Sequence, residues 1–263
     1  MCLVAIAYKK WPGFPIMILA NRDEFFDRPA SAADFWNENA SILGGRDLLS
    51  LGTWFGVTKS GRISFITNRR DFREAKLSSP ISRGKLVENF LKSDMSPSKY
   101  EQSLQPDLLR YEGFNLFVMD PNEALCISNR GQATVSVEPG FHALSNAYWN
   151  TPWPKTERIL SKFQSLSEEM STQVSLDEFV SKSFGILNDQ TFADESNLPD
   201  TGIGMEKEKM LSSIRIKLPN YGTRVSTILT VSDQGVCNFW EKTFQDPFSE
   251  SGETRHFSFQ IIQ

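Results

Sequence analysis

The chain opens on an apolar run, Leu3 to Tyr8, followed by the turn-rich KKWPGFP and a second run from Ile16 to Ala20. Short apolar runs bounded by Gly and Pro mark strands buried on both faces, so this stretch predicts an N-terminal hairpin. The glycine-punctuated ILGGRDLLSLGTWFG reads as a loop region. A hairpin is expected over Trp54–Thr58 and Ile63–Thr67, turned at KSGR. Leu86, Val87, Phe90 and Leu91 fall on one face of a helix. Further strands are expected at Phe114–Met119, Glu123–Ser128, Thr134–Val137 and His142–Ser145. Pro154 stands at the first turn of a helix carrying Ile159, Leu160, Phe163 and Leu166. Ser175 and Glu178 have capping-box spacing ahead of Phe179, Val180, Phe184 and Leu187. The polar stretch NDQTFADESNLPDTGIGMEKEK predicts a mobile surface loop. Strands resume at Ser212–Lys217, Val225–Val231 and Val236–Phe244, and the closing RHFSFQII alternates with Phe257, Phe259 and Ile261 inward.

Strands, then helices, then strands, with no βαβ alternation, predict an α+β fold of antiparallel sheets rather than a doubly wound one. No repeat, low-complexity tract or linker divides residues 1–263, so one domain is expected. The net charge of −4 gives no general attraction to nucleic acid. No segment approaches the roughly 18 apolar residues of a membrane span, and the opening run lacks the flanks of a secretory signal. Cys2, Cys126 and Cys237 form neither a disulfide framework nor a zinc pattern. Together these features predict a soluble protein of the cytoplasm.

The candidate chemistry begins with Cys2. Chain ends fray unless an element ties them down, so this is a poor place for a structural cysteine and a good one for a nucleophile. With Met1 removed, one residue carries both a thiol and a free α-amine, groups of reference pKa about 8.5 and about 7.7–8.0. The amine can then take the thiol proton without a histidine. The two histidines, His142 in an apolar run and His256 on an outer strand face, read as structural. NRDE at 21–24 supplies an arginine to favour the thiolate and a carboxylate to hold the ammonium. On the residues alone this cluster is equally a strand end in solvated charge. Trp54 and Trp149 are pocket or core residues, and Cys126 and Cys237 sit in apolar strands as inert thiols. Neither a GxSxG elbow, a phosphate-binding P-loop nor a HExxH helix is present in the sequence.

The chain resembles the NRDE family, also called the transport and Golgi organisation family. The resemblance rests on MCLV at the start, ANRDEFFDRP at 20–29, GGRD at 44–47, GTWFGV at 52–57 and TNRRD at 67–71. It continues through SRGKLV at 82–87, NLFVMD at 115–120, LSNA at 144–147, YGTRVSTILTV at 221–231 and EKTF at 241–244. That family is similar to N-terminal nucleophile hydrolases of the bile-salt hydrolase and penicillin V acylase type. The resemblance implies a four-layer αββα sandwich of two antiparallel sheets. It also implies Cys2 as nucleophile, Asp23 on its α-amine, and Asn68 and Asn146 as the asparagines that bind amine and oxyanion. Arg224 matches the late arginine. Those acylases place an arginine where this chain has Ala20; here the arginine of the cluster is Arg22.

The implied activity is hydrolysis of an amide or ester, with a small-molecule acyl substrate, no cofactor and no metal. The resemblance also implies an alternative, a non-catalytic protein handling haem or acyl lipid as cargo in Golgi organisation and secretion, with Cys2 as the candidate axial ligand.

Overall fold

The computed structural model describes residues 3–170, 175–249 and 252–262. Met1 and the candidate nucleophile Cys2 lie outside the described residues.

Six strands form one antiparallel sheet in the order β10-β1-β2-β11-β12-β13, namely Gly140–Leu144, Leu3–Trp11, Phe14–Phe25, Tyr221–Val231, Val236–Thr243 and Glu253–Gln260. Seven form the other, in chain order from β3 to β9. These are Ala30–Trp36, Asn39–Asp47, Phe55–Thr58, Ile63–Asn68, Phe114–Met119, Ala124–Ser128 and Val135–Ser136. Helices α1 (Gly84–Lys92) and α2 (Pro97–Leu104) cover the second sheet, and α3 (Pro154–Met170) and α4 (Leu176–Leu187) cover the first. A short α5 spans Met205–Met210.

The side chains explain the layering. On β1, Val4, Ile6 and Tyr8 enter the core between the sheets, while Leu3, Ala5 and Ala7 pack against Ile159, Phe163 and Phe179 of α3 and α4. On β2, Ile16, Ile18 and Ala20 face the second sheet, and Met17 and Leu19 face the helices. A strand buried on both sides has no polar face, which is why this hairpin reads as unbroken apolar runs. A third core lies under α1 and α2, where Leu86, Val87, Phe90 and Leu91 meet Ile66, Leu116 and Ile127. Three apolar interfaces separate four layers, and the expected αββα sandwich is the observed fold. On β13, Phe257 and Phe259 pack inward as expected, and Ile261 beyond its end does the same.

Local signals placed several boundaries. Ser175 Oγ accepts the amide of Glu178 at 3.2 Å at the start of α4, and Gly13 takes a left-handed φ of 77° in the β1–β2 turn.

Other expectations are corrected. The glycine-rich 42–56 region contains most of β4 rather than loop alone. Gly44 and Gly45 are glycines because a Cβ at 44 would stand 2.5 Å from the Phe55 carbonyl oxygen, and one at 45 would meet the Trp54 ring. Close packing, not turn conformation, selected them. Strand β3 was not anticipated, because its irregular register hides the alternation. Ser212–Lys217 is not a strand: it holds one isolated bridge, Lys217 to Gly222, and Ile216 N donates to the Thr223 hydroxyl at 3.0 Å. The polar 188–209 stretch is docked rather than loose. Within it Glu208, 2% exposed, ion-pairs Arg70 Nη2 at 2.8 Å and accepts the amide of Thr201 at 2.9 Å. Among the described residues no helix is long and apolar enough to cross a membrane.

Candidate active site

Strand β2 ends in the NRDE cluster, and its two-residue period sends these side chains to different places. Asn21 is fully buried. Its amide nitrogen donates to the carbonyls of Leu187 and Ile214, both at 2.9 Å, and its oxygen accepts from Ser226 Oγ at 2.7 Å. It ties the end of α4 and the 214 segment to the sheet, a structural duty. Arg22 turns the other way, toward the second sheet, with its guanidinium 4.3 Å from the centre of the Trp54 ring. Asp23 is 4% exposed, and its Oδ1 accepts from Thr223 Oγ1 at 2.6 Å on the neighbouring strand.

Arg22 lines a cleft of about 310 Å³ at this end of the sandwich. Its walls come from the β2 end, the following turn, the 47–54 segment, β6 and the start of α1, including Glu24, Arg28, Asp47, Trp54, Asn68 and Arg83. Asp47 organises the near wall. It accepts Arg28 Nε at 2.6 Å and Nη2 at 3.2 Å, the Ser50 amide at 2.8 Å, and Arg22 Nη2 at 3.4 Å. Burial pushes the Asp47 carboxyl up, but the Arg28 bond and the other donors outweigh it and hold the carboxyl below its usual range. The same bond raises Arg28. Arg22 moves the opposite way: desolvation lowers its pKa, against the pull of Glu24 and Asp47.

The other predicted site residues are distributed as follows. Asn68, at the end of β6, lines the cleft with Arg22. Asn146, 5% exposed, supports it from behind by donating Nδ2 to the Asn68 carbonyl at 2.9 Å. Arg224 sits in the β11 irregularity between Thr223 and Val225, and its Nη1 donates to the carbonyls of Phe25 and Arg28. It thereby braces the turn that carries Arg28 and is not part of the cleft wall. Trp54 is a wall residue, whereas Trp149 stacks on Phe117 in the inter-sheet core. Cys126 and Cys237 are buried in that same core, where desolvation pushes both thiols up, Cys237 to about 12.

Sequence reasoning missed Asp47, Arg28 and Arg83. GGRD and DRP carried the first two as motif letters, but their pairing depends on β4, which the glycines concealed. Also missed was Glu241, 1% exposed between the sheets, where burial raises its carboxyl to about 7. Among the described residues no group of three or more His, Cys, Asp or Glu stands close enough to hold a metal ion.

The profile of the Transport and Golgi organisation 2 family matches residues 1–246. The Transport and Golgi organization protein 2 homolog of Homo sapiens is 31% identical over 282 residues, covering 99% of each chain. The homolog of Mus musculus is 30% identical over 281 residues, again covering 99% of each. Among solved structures, the C2A mutant of a conjugated bile acid hydrolase from Clostridium perfringens superposes with a TM-score of 0.52. It is 10% identical, covering 98% of this chain and 92% of that one. A likeness at that identity shows a common fold and nothing further. The whole-length matches in sequence carry the assignment further: this chain belongs to the Transport and Golgi organisation 2 family.

Proposed function

We propose that this protein is a cysteine N-terminal nucleophile hydrolase that transfers an acyl group from an amide or ester to Cys2 and then to water. The observation that carries the reading is the β1–β2 register. Leu3 pairs with Asn21, so the first described residue of β1 lies beside the strand end that bears Arg22 and Asp23. Cys2 is bonded to Leu3, and consecutive Cα atoms are about 3.8 Å apart. That neighbourhood supports a reading in which a mature chain starting at Cys2 uses its α-amine and thiol at the NRDE end of β2.

In this reading the α-amine takes the thiol proton, and Sγ bonds to the substrate carbonyl carbon. The bond to the leaving amine or alcohol breaks as that group takes the proton back. Water then cleaves the thioester, releasing the acid and restoring the thiol. Asp23 holds the ammonium, and Arg22 favours the thiolate from the cleft side. The Asn68 side chain offers the oxyanion donor, a role worth about 3 kcal/mol of barrier where it has been measured. Asn146 fixes Asn68 in place, and Arg224 acts at one remove by holding the Arg28 turn. The substrate is a small acyl compound, with a lipidic acyl group as the first class to screen.

The test is intact-mass analysis of the mature protein during reaction with a panel of acyl p-nitrophenyl esters of increasing chain length. The expected result is a chain lacking Met1 that gains one acyl mass on Cys2 and releases it with time. Retention of Met1 in the native source, or adducts unaffected by Cys2→Ser, would overturn the reading.

A further inference from the structure

A sheet edge is a row of unpaired amides and carbonyls, and folded proteins blunt it with short strands, bulges, proline, charge or a covering segment. Among the described residues the two sheets end in four such edges, β3, β9, β10 and β13. Three are blunted. Strand β9 is two residues long. Strand β3 slips register twice, between Ser31 and Asp34 and between Phe35 and Trp36. On β10 the Ala143 amide donates to Asn150 Oδ1 at 3.0 Å, and the Ala143 carbonyl accepts the Asn150 amide at 2.9 Å.

Strand β13 has none of these devices. It pairs with β12 from Glu253 to Gln260 without a register shift, and its sequence ETRHFSFQ contains neither proline nor lysine. Its charges are matched within the copy, since Arg255 Nε lies 3.1 Å from Glu253 Oε1 and Nη1 lies 3.6 Å from Asp34 Oδ2. Ile261 N donates to the Gly235 carbonyl at 2.8 Å, which fixes the alternation. With a two-residue period the amides of Thr254, His256, Ser258 and Gln260 therefore point away from β12. All four residues are exposed. On the inter-sheet face Phe257 and Phe259 are only half-buried.

The flanks of β13 point to its partner. Phe248, in the loop leading into the strand, is 66% exposed, and Ile262, just past its end, is 67% exposed. An antiparallel pair of identical strands brings the start of each beside the end of the other. The Phe248 end of one copy then meets the Ile262 end of the second, at both ends of the joint. Such a pairing about a twofold axis uses the one unguarded edge of each copy, so assembly closes at two. We propose that β13 pairs antiparallel with the β13 of a second copy, joining their six-stranded sheets into one continuous sheet. The outward amides donate across the joint, and Phe257 and Phe259 gain cover. The cleft takes no lining residue from β13, so this interface stands apart from the hydrolase reading.

Sedimentation equilibrium of the full 29.8 kDa chain tests it, over a range of about 1–100 μM in which a specific dimer is populated. The expected result is a mass that rises to that of two chains, with hydrogen exchange at 254, 256, 258 and 260 slowing as concentration increases. Ser258→Pro removes one outward amide and no bond to β12, and should raise the dimer dissociation constant by about tenfold or more. Should Ser258→Pro lose its cooperative unfolding transition, Ser258→Lys carries the same comparison by placing charge of one sign on both strands of the joint. A monomer throughout the range, a dissociation constant unchanged in the folded variants, or a dimer whose 254–260 amides exchange as fast as the monomer's would overturn the proposal.

Discussion

Asn146 donates its side-chain amide to the main-chain carbonyl of Asn68 at 2.9 Å, and the Arg70 amide donates to the Asn146 carbonyl at 2.8 Å. The two links clasp the end of β6 to the segment after β10, so the cleft residue Asn68 is aimed by a partner distant in sequence.

This clasp separates the two asparagines experimentally. Asn68→Ala keeps the carbonyl that Asn146 uses, so stability should change by less than about 0.5 kcal/mol while acyl transfer falls about 100-fold. Asn146→Ala should cost about 1–2 kcal/mol in urea denaturation, because the buried Asn68 link is lost. Unaltered acylation of Cys2 in Asn68→Ala would remove it from the oxyanion site.

The Glu208–Arg70 pair makes a second prediction. Glu208 is 2% exposed and Arg70 12%, so removing one partner strands a buried charge. Arg70→Met should destabilise by about 3 kcal/mol, and hydrogen exchange should rise across 189–210. The double variant Arg70→Met with Glu208→Gln should recover part of that loss. Unchanged exchange in the single variant would show that the pair does not hold this segment.

How much of this was written in the sequence depends on whether a residue's partner is local. The β1–β2 hairpin, the hairpin at 54–67, the α4 cap and the inward face of β13 follow from periodicity and turn chemistry within a few residues. Asn21, Arg22 and Asp23 stand together in the chain, yet one ties helix to sheet, one lines the cleft and one meets Thr223. Strand alternation foretells the split, but nothing in the letters says what each face meets. The misses share that cause. Gly44 and Gly45 read as turn residues because their reason, the nearness of Phe55 and Trp54, is tertiary. Residues 212–217 carry strand-forming side chains, but the amides of Ile216 and Arg215 donate to a hydroxyl and a loop carbonyl, Thr223 Oγ1 and Asp189 O, rather than to a strand ladder.

Glu241 sets a pH dependence. Its folded pKa is about 7, raised from 4.5 by burial. Between those values the folded state holds a proton that the unfolded state has released, so this group's contribution falls as pH rises from about 4.5 to about 7 and is constant above. The full span is about 3 kcal/mol. Glu241→Gln should therefore match the parent near pH 4.5 and exceed its stability by up to that amount at pH 8, measured by chemical denaturation. Parallel stability curves for the two proteins would contradict it.

Thiol accessibility gives a third kind of check. Cys126 and Cys237 are buried, and desolvation disfavours both thiolates. In the folded protein iodoacetamide should modify Cys2 alone, and the other two only after addition of denaturant, as read by peptide mass mapping. Equal labelling of all three under native conditions would mean that the inter-sheet core opens on the labelling timescale.

At Ala33 the β3 ladder to β4 is interrupted, between Ser31 and Asp34. The freed amide donates to Glu241 Oε1 at 2.5 Å, and the carbonyl accepts Arg255 Nη1 at 3.3 Å, both from the opposite sheet. Apolar cores resist separation but offer little resistance to sliding, since dispersion has no direction. Two directional bonds on one residue act as a rivet against shear between the plates. The cleft draws one wall from each sheet, so that rivet also fixes its width, and loosening it would misalign Arg22 and Asn68 without touching either.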